Sequence, residues 1–223
     1  MKIISYDNKC VDICKEDILV PKYALLPSPI APHPDMNICI INNTIFTTPH
    51  MKFCEDILQN KGYEVVYISE ELGDIYPKDA LLNCAVLGKN IIANTKTVSK
   101  EIILYCGLHN LNLIDVKQGY ANCSILSINE NAAITADMGI YKALINNEVD
   151  TLLITPGNIG IDNYNYGFIG GAGGMLDSRT LLFFGKISAH PDFLKIKEFT
   201  FKHGVTIKET ATPLYDYGGL FIL

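Results

Sequence analysis

Apolar residues in this chain gather in short runs separated by two-residue polar breaks, and one arrangement of runs occurs four times. Each copy has two apolar runs joined by a tight turn, then a stretch of helical period, then a third run. The first reads NICII-NN-TIFTT, PHMKFCEDILQNKGY, EVVYI. The second reads NCAVL-GK-NIIAN, VSKEIILYCGLHN, LNLIDV. The third reads NCSILSI-NE-NAAIT, MGIYKALINNEVD, TLLIT, and the fourth GFIGGAGGML-DS-RTLLFF, HPDFLKIKEFTFKHG, VTIKET. Apolar runs of this length bounded by turn residues predict strands, so each copy is a strand–turn–strand–helix–strand unit. The turns begin at Asn42, Gly88, Asn129 and Asp177, at spacings of 46, 41 and 48 residues. A unit of that size cannot bury both faces of its own strands, so the copies must stack into an array or close on themselves.

The ends of the chain do not fit the repeat. Lys2 to Tyr6 predicts a strand and Cys10 to Asp17 a short helix, and the five prolines from Pro21 to Pro34 predict an extended connector. The last ten residues, LYDYGGLFIL (Leu214–Leu223), read as the opening strand of a fifth copy. A fifth module built from both ends would remove the exposed edges of an open array. The predicted fold is therefore α/β: one domain over residues 1–223, a closed five-bladed ββαβ propeller. Its blades span about 37–69, 82–116, 120–155 and 165–210, with the fifth from 214–223 plus 1–30. Pro49 and Pro191 are placed in first helical turns, and Gly62 and Gly204 where the first and fourth helices stop. Asn42-Asn43, Gly88-Lys89 and Asn129-Glu130 suit two-residue turns with positive φ.

Composition narrows the function classes. Hydrophobic residues make up 48% of the chain, enough for a sizeable core, and the formal charge of −6 argues against a broad phosphate-binding surface. No nucleic-acid partner is expected. The seven cysteines form no C-x-x-C pair, and Cys39, Cys84 and Cys123 occupy the first strand of successive copies. That is the usage of a reducing compartment. No signal peptide or membrane-length apolar run is visible, so a cytoplasmic protein without membrane contact is expected.

Several segments carry a family resemblance. NNTIFTTP (Asn42–Pro49) is similar to the first-blade hairpin of dimethylargininases, YANCSI (Tyr120–Ile125) to the strand after their catalytic histidine, and YDYGGLFIL to their cysteine-bearing C-terminal strand. VKQGYANCSI and NYGFIGGAGG resemble an uncharacterised bacterial group assigned to the same fold. With the five-fold ββαβ plan, these segments make the chain look like a pentein, or guanidine-modifying-enzyme, fold. That fold also holds arginine and agmatine deiminases, amidinotransferases and a non-catalytic ribosome factor.

The hydrolytic members use a cysteine nucleophile, a histidine and guanidinium-binding carboxylates. Matched residue by residue, the nucleophile position falls near Ile222, and no cysteine follows Cys123. The histidine position falls on Gln118, with Gly119 next, and a carboxylate position falls on Asn83. Asp35 alone keeps a family carboxylate. The resemblance therefore implies the architecture without the usual Cys–His machinery.

Other candidates were weighed on their chemistry. Cys123 is a possible relocated nucleophile beside Asp137 or His33, or, with His33 and Asp35, the core of an unorthodox hydrolase or amidinotransferase. A buried strand cysteine is the simpler reading, since a reactive thiol needs an electropositive partner and none is identifiable. The two His-Pro-Asp tripeptides, His33–Asp35 and His190–Asp192, suit a helix start better than a metal site, and no metal or cofactor is expected. Gly170–Gly174 leads into a strand rather than a helix, so close backbone approach is favoured over a phosphate cradle. Lys117 to Asn122 concentrates a cation, two amides and a phenol at the entry to the third blade. The expected ligand set is Asp35, Asn83, Lys117, Gln118, Tyr120, Asn122 and Asp216, around a small polar or guanidino-like metabolite. Tyr164, Asn165, Tyr166, Tyr215 and Tyr217 share that rim. A protein partner is the remaining alternative.

Overall fold

The computed structural model describes residues Met1–Leu223 as five three-stranded sheets. The chain opens with β1 (Lys2–Ser5) and β2 (Ile18–Val20). It continues through β3 (Ile38–Ile41), β4 (Thr44–Thr47) and β5 (Glu64–Tyr67), then β6 (Ala85–Leu87), β7 (Asn90–Ala93) and β8 (Asn112–Asp115). Next come β9 (Ile125–Asn129), β10 (Ala132–Thr135) and β11 (Asp150–Leu153), then β12 (Gly173–Asp177), β13 (Thr180–Phe183) and β14 (Thr206–Glu209), and last β15 (Phe221–Ile222). In each internal sheet the first two strands pair antiparallel and the third runs parallel to the second. A fifth sheet repeats this plan with strands from both ends. There β15 pairs antiparallel with β1, Lys2 opposite Ile222 and Ile3 opposite Phe221, and β2 runs parallel to β1.

The helices are α1 (Pro34–Asn37), α2 (Glu55–Asn60), α3 (Lys100–Leu108), α4 (Ala121–Ser124), α5 (Met138–Asn146) and α6 (Phe193–Lys202). Helices α2, α3, α5 and α6 make the crossovers between parallel strands. The one-turn helices α1 and α4 lead into β3 and β9.

Strand alternation decides how the sheets join. On β5, Val65 packs with Met51 and Leu58 of its own unit, while Val66 faces Ile102 and Cys106 on α3 of the next unit. Ile114 on β8 meets Ile140 and Leu144 of α5, and Leu152 on β11 meets Ile196 and Phe199 of α6. The register places Lys208 at the equivalent point of β14, where it is exposed. No helix lies between β1 and β2, so no apolar face arrives to cover that edge, and a lysine keeps it solvated.

First strands adjoin in sequence order, β3 with β6, β6 with β9, β9 with β12 and β12 with β15. Phe221 and Leu223 also pack against the cluster of Ile38 and Ile45. Ile40, Val86, Ser127, Met175 and Ile222, one from each first strand, border an axial cavity of about 320 Å³.

Some expectations are corrected. Cys10 to Asp17 forms turns and extended chain, not a helix. Asp12 to Glu16 are all exposed, so no apolar face could hold a helix there, and Asp17 instead accepts the N–H groups of Lys2 and Cys14, both at 2.8 Å. Pro191 precedes α6 rather than entering its first turn. Asn42, Gly88, Gly62 and Gly204 have the expected positive φ. The hairpins at Asn129-Glu130 and Asp177-Ser178 turn without one, through register shifts in their ladders. No helix is long and apolar enough to cross a membrane.

Candidate functional site

The site is assembled where the connector enters the first internal sheet. Pro34 presets the first turn of α1, and Asn37 Nδ2 donates to the carbonyls of Ala31 (3.0 Å) and His33 (2.8 Å). This fixes His33, Asp35 and Met36, all buried, beside the C-terminal segment, whose Gly218 carbonyl accepts from Asp35 N at 3.2 Å. Asp216 on that segment accepts from Gly218 N through Oδ1 (3.0 Å) and from Phe168 N through Oδ2 (2.8 Å). His33 Nδ1 lies 3.7 Å from Asp216 Oδ1.

Asn83 is the hub beneath these groups. Its Oδ1 accepts the N–H groups of Asn122 (2.8 Å) and Cys123 (3.2 Å). Its Nδ2 lies within donating distance of the Asp35 carbonyl (3.0 Å), Met36 Sδ (3.3 Å) and Cys123 Sγ (2.9 Å). An aspartate could accept the same N–H groups but could not donate, so the neutral amide suits this position.

Beside the hub lies a cavity of about 360 Å³, lined by His33, Met36, Gln118, Cys123 and Asp216 together with Ile161, Tyr164, Tyr166 and Phe168. Tyr120 also lines it and donates to Asp79 Oδ2 at 2.6 Å. Asp79 and Tyr120 are both pushed up by burial, and their bond holds the first down and raises the second further. Tyr120→Phe strands Asp79, whose other oxygen is already buried without a partner, and should cost about 1–3 kcal/mol in urea denaturation. Unchanged stability would show that the bond contributes nothing net.

Electrostatics decide what this arrangement can do. Asp35 is fully buried and neither carboxylate oxygen has a hydrogen-bond partner. Burial, reinforced by the charge of Asp216 and opposed by the Cys123 thiol, pushes its carboxyl up to about 7. Burial also drives the Cys123 thiol well above its ordinary range, and the charges of Asp35 and Asp216 drive it the same way. His33 is pushed down by burial against the pull of Asp216. At neutral pH the cavity therefore presents a thiol and an uncharged imidazole, with no lysine or arginine among its lining residues.

Of the residues expected to hold a ligand, Gln118, Tyr120 and Asp216 line this cavity, together with Cys123 and His33. Asp35 and Asn83 lie buried behind it. Asn122 borders the axial cavity instead. Lys117 is exposed and takes part only through its carbonyl, which accepts Asn94 Nδ2 at 2.8 Å. Asp79, Met36, Ile161 and Phe168 belong to the site without a signal in the sequence that marks them. The second His-Pro-Asp is structural: Asp192 Oδ2 accepts from Thr155 N (2.6 Å) and Oδ1 from Lys195 Nζ (2.7 Å). The glycine run serves close approach, with Gly170 N donating to the Cys123 carbonyl at 2.8 Å.

Solved structures place this architecture. A dimethylarginine dimethylaminohydrolase adduct with S-methyl-L-thiocitrulline superposes with TM-score 0.59 at 10% identity, over 95% of this chain and 92% of that one. A mutant of the Pseudomonas aeruginosa enzyme of that name, complexed with citrulline, gives 0.54 at 11% identity, over 88% and 74%. SxtG, an amidinotransferase of the saxitoxin biosynthetic pathway from Microseira wollei, gives 0.55 at 11%, over 92% and 75%. The fold is the pentein fold. The chain belongs to the family of unknown function DUF6873, whose model matches over residues 8–221. No curated protein sequence matches it significantly.

Proposed function

We propose that this protein binds a small cationic, guanidino-like metabolite in the 360 Å³ cavity without hydrolysing it, within five sheets that close into a propeller. The observation that carries this reading is the lining: the rings of Tyr120, Tyr164, Tyr166 and Phe168 share the cavity with Asp216, Asp35 is buried nearby, and no lysine or arginine is among the lining residues. Such a surface favours a cation through ring faces and carboxylate together. Binding without hydrolysis follows from the protonated thiol, because a nucleophilic cysteine needs its thiolate and here two carboxylates oppose ionisation. Closure into a propeller is supported by the order of first-strand contacts and by the packing of Phe221 against the first internal sheet.

The test is a thermal-shift and calorimetric panel of arginine, agmatine, methylarginines and creatine, with citrulline as the uncharged comparison. A cationic hit at a hundred times its dissociation constant should stabilise by about 2.7 kcal/mol. Asp216→Asn should weaken that hit roughly ten- to hundredfold, the scale of a hydrogen bond to a charged group. Equal affinity for citrulline, or no loss in the variant, would refute cation recognition.

A second reading has one observation in its favour: Cys123, His33 and Asp216 border the same cavity. On that reading the protein is a hydrolase or transferase of guanidino compounds. It requires ammonia or urea release from a bound compound, abolished by Cys123→Ala.

A further inference from the structure

Beside the hub residue Asn83, a second group of thiols lies in the core, outside the cavity of the candidate site. Cys39, Cys84 and Cys106 share one apolar cluster with Phe46 and Ile91. The sulfurs of Cys39 and Cys84 are 2.8 Å apart, less than an ångström longer than the roughly 2.05 Å of a disulfide bond. Each is the other's sole polar partner, whereas Cys54 Sγ donates to the Met51 carbonyl and Cys123 Sγ receives Asn83. Cys39 belongs to β3, and Cys84 immediately precedes β6 of the adjacent sheet. Cys84 also forms part of the wall of the axial cavity, which gives small solutes a route to an otherwise enclosed pair.

We propose that Cys39 and Cys84 are a redox modification site, at which a hydroperoxide drives formation of a disulfide joining the first two internal sheets. The sulfur of Cys84 attacks the terminal peroxide oxygen and the O–O bond breaks. The departing oxygen takes the thiol proton and leaves as water or an alcohol, so that Cys84 becomes a sulfenic acid. The sulfur of Cys39 then displaces the sulfenic hydroxyl, which leaves as water with the second thiol proton. Two S–H bonds and the O–O bond are lost, one S–S bond forms, and two electrons pass from the sulfurs to the peroxide. Cys84 is buried, so its oxidation is slow beside that of the exposed Cys14, and burial, which holds the Cys39 thiol well above its ordinary range, slows the second step. Proximity supplies the selectivity: once Cys84 is oxidised, the closest thiol is already in place.

The experiment uses the full chain carrying Cys10→Ser and Cys14→Ser, which removes the two more accessible thiols. The protein is treated with hydrogen peroxide, denatured, alkylated and weighed intact. Expected are a loss of two hydrogens, two fewer alkylated thiols, and a cross-linked peptide pair containing positions 39 and 84. The melting temperature should rise, because the bond closes a loop between positions 45 residues apart, and dithiothreitol should reverse both changes. Cys84→Ala should leave no cross-link. The proposal is overturned if every remaining thiol stays alkylatable, if the pair gains oxygen without cross-linking, or if the cross-link maps elsewhere. Peptide mapping of the parent protein decides the matter even if Cys84→Ala fails to fold.

Discussion

Asparagine in place of Asp35 is expected to stabilise the folded protein above neutral pH. The carboxyl is held up to about 7 in the fold against an ordinary 3.8, so the folded chain binds this proton more tightly than the unfolded chain. The resulting stability is fully present below pH 3.8, declines as pH rises, and is lost once pH passes about 7. At about 1.4 kcal/mol per pH unit, the loss across that window amounts to about 4 kcal/mol, a large share of an ordinary folding free energy. His33 works in the opposite sense. Its imidazole is depressed below the ordinary 6.5, so its contribution is present above that pH and is lost as pH falls through the depressed value. The natural protein should combine both slopes, whereas Asp35→Asn should keep only the histidine's acid-side loss. Urea denaturation at pH 5, 6, 7 and 8 measures the difference, which should widen toward pH 8. Parallel profiles would mean that Asp35 is not a buried acid in the folded state. A cationic ligand that reaches Asp35 should narrow the same gap, linking the measurement to the proposed function.

Gly170→Ala should be strongly destabilising. A methyl group there would overlap the backbone carbonyls of Asn122, Cys123 and Ile125, and no flexible side chain is available to yield. The same residue must keep its N–H on the Cys123 carbonyl. Overpacking of this kind costs about 3 kcal/mol or more, enough to reduce soluble yield as well as melting temperature. Gly107→Ala is the matched control, since nothing lies within 4 Å of the added carbon and the position is helical. It should raise stability by about 0.5–1 kcal/mol. Equal melting temperatures for the two variants would refute the close-approach account of the glycine run.

The repeat was legible because strand and helix periods alternate cleanly within each of the four copies, and the pairing of β15 with β1 followed from the orphan strand signals at the two ends. The loop at Cys10–Asp17 was not legible as a loop. Its composition allows a helix, and the exposure of Asp12 to Glu16 and the capture of backbone N–H groups by the Asp17 side chain decide against one. The site was legible in position more than in role. Residues around Asp35, Asn83, Gln118 and Asp216 were placed through resemblance, and they do converge. Side-chain direction was not available, because it is set in the one-turn helices and irregular chain just before the strands begin. Asn83 therefore proves to be an internal brace, Asn122 borders the axial cavity and Lys117 is exposed. Asp79 belongs to a segment with no periodic pattern, so nothing tied it to Tyr120 beforehand.

The seam positions Val66, Ile114, Leu152 and Lys208 also amount to a count kept by the chain. Three successive units end in a side chain that asks for another helix, and the fourth ends in one that refuses it. A duplicated unit inserted upstream would find a matching seam, whereas one added after β14 would meet a charge. The end of the helix-covered series is in this sense written at a single residue, Lys208.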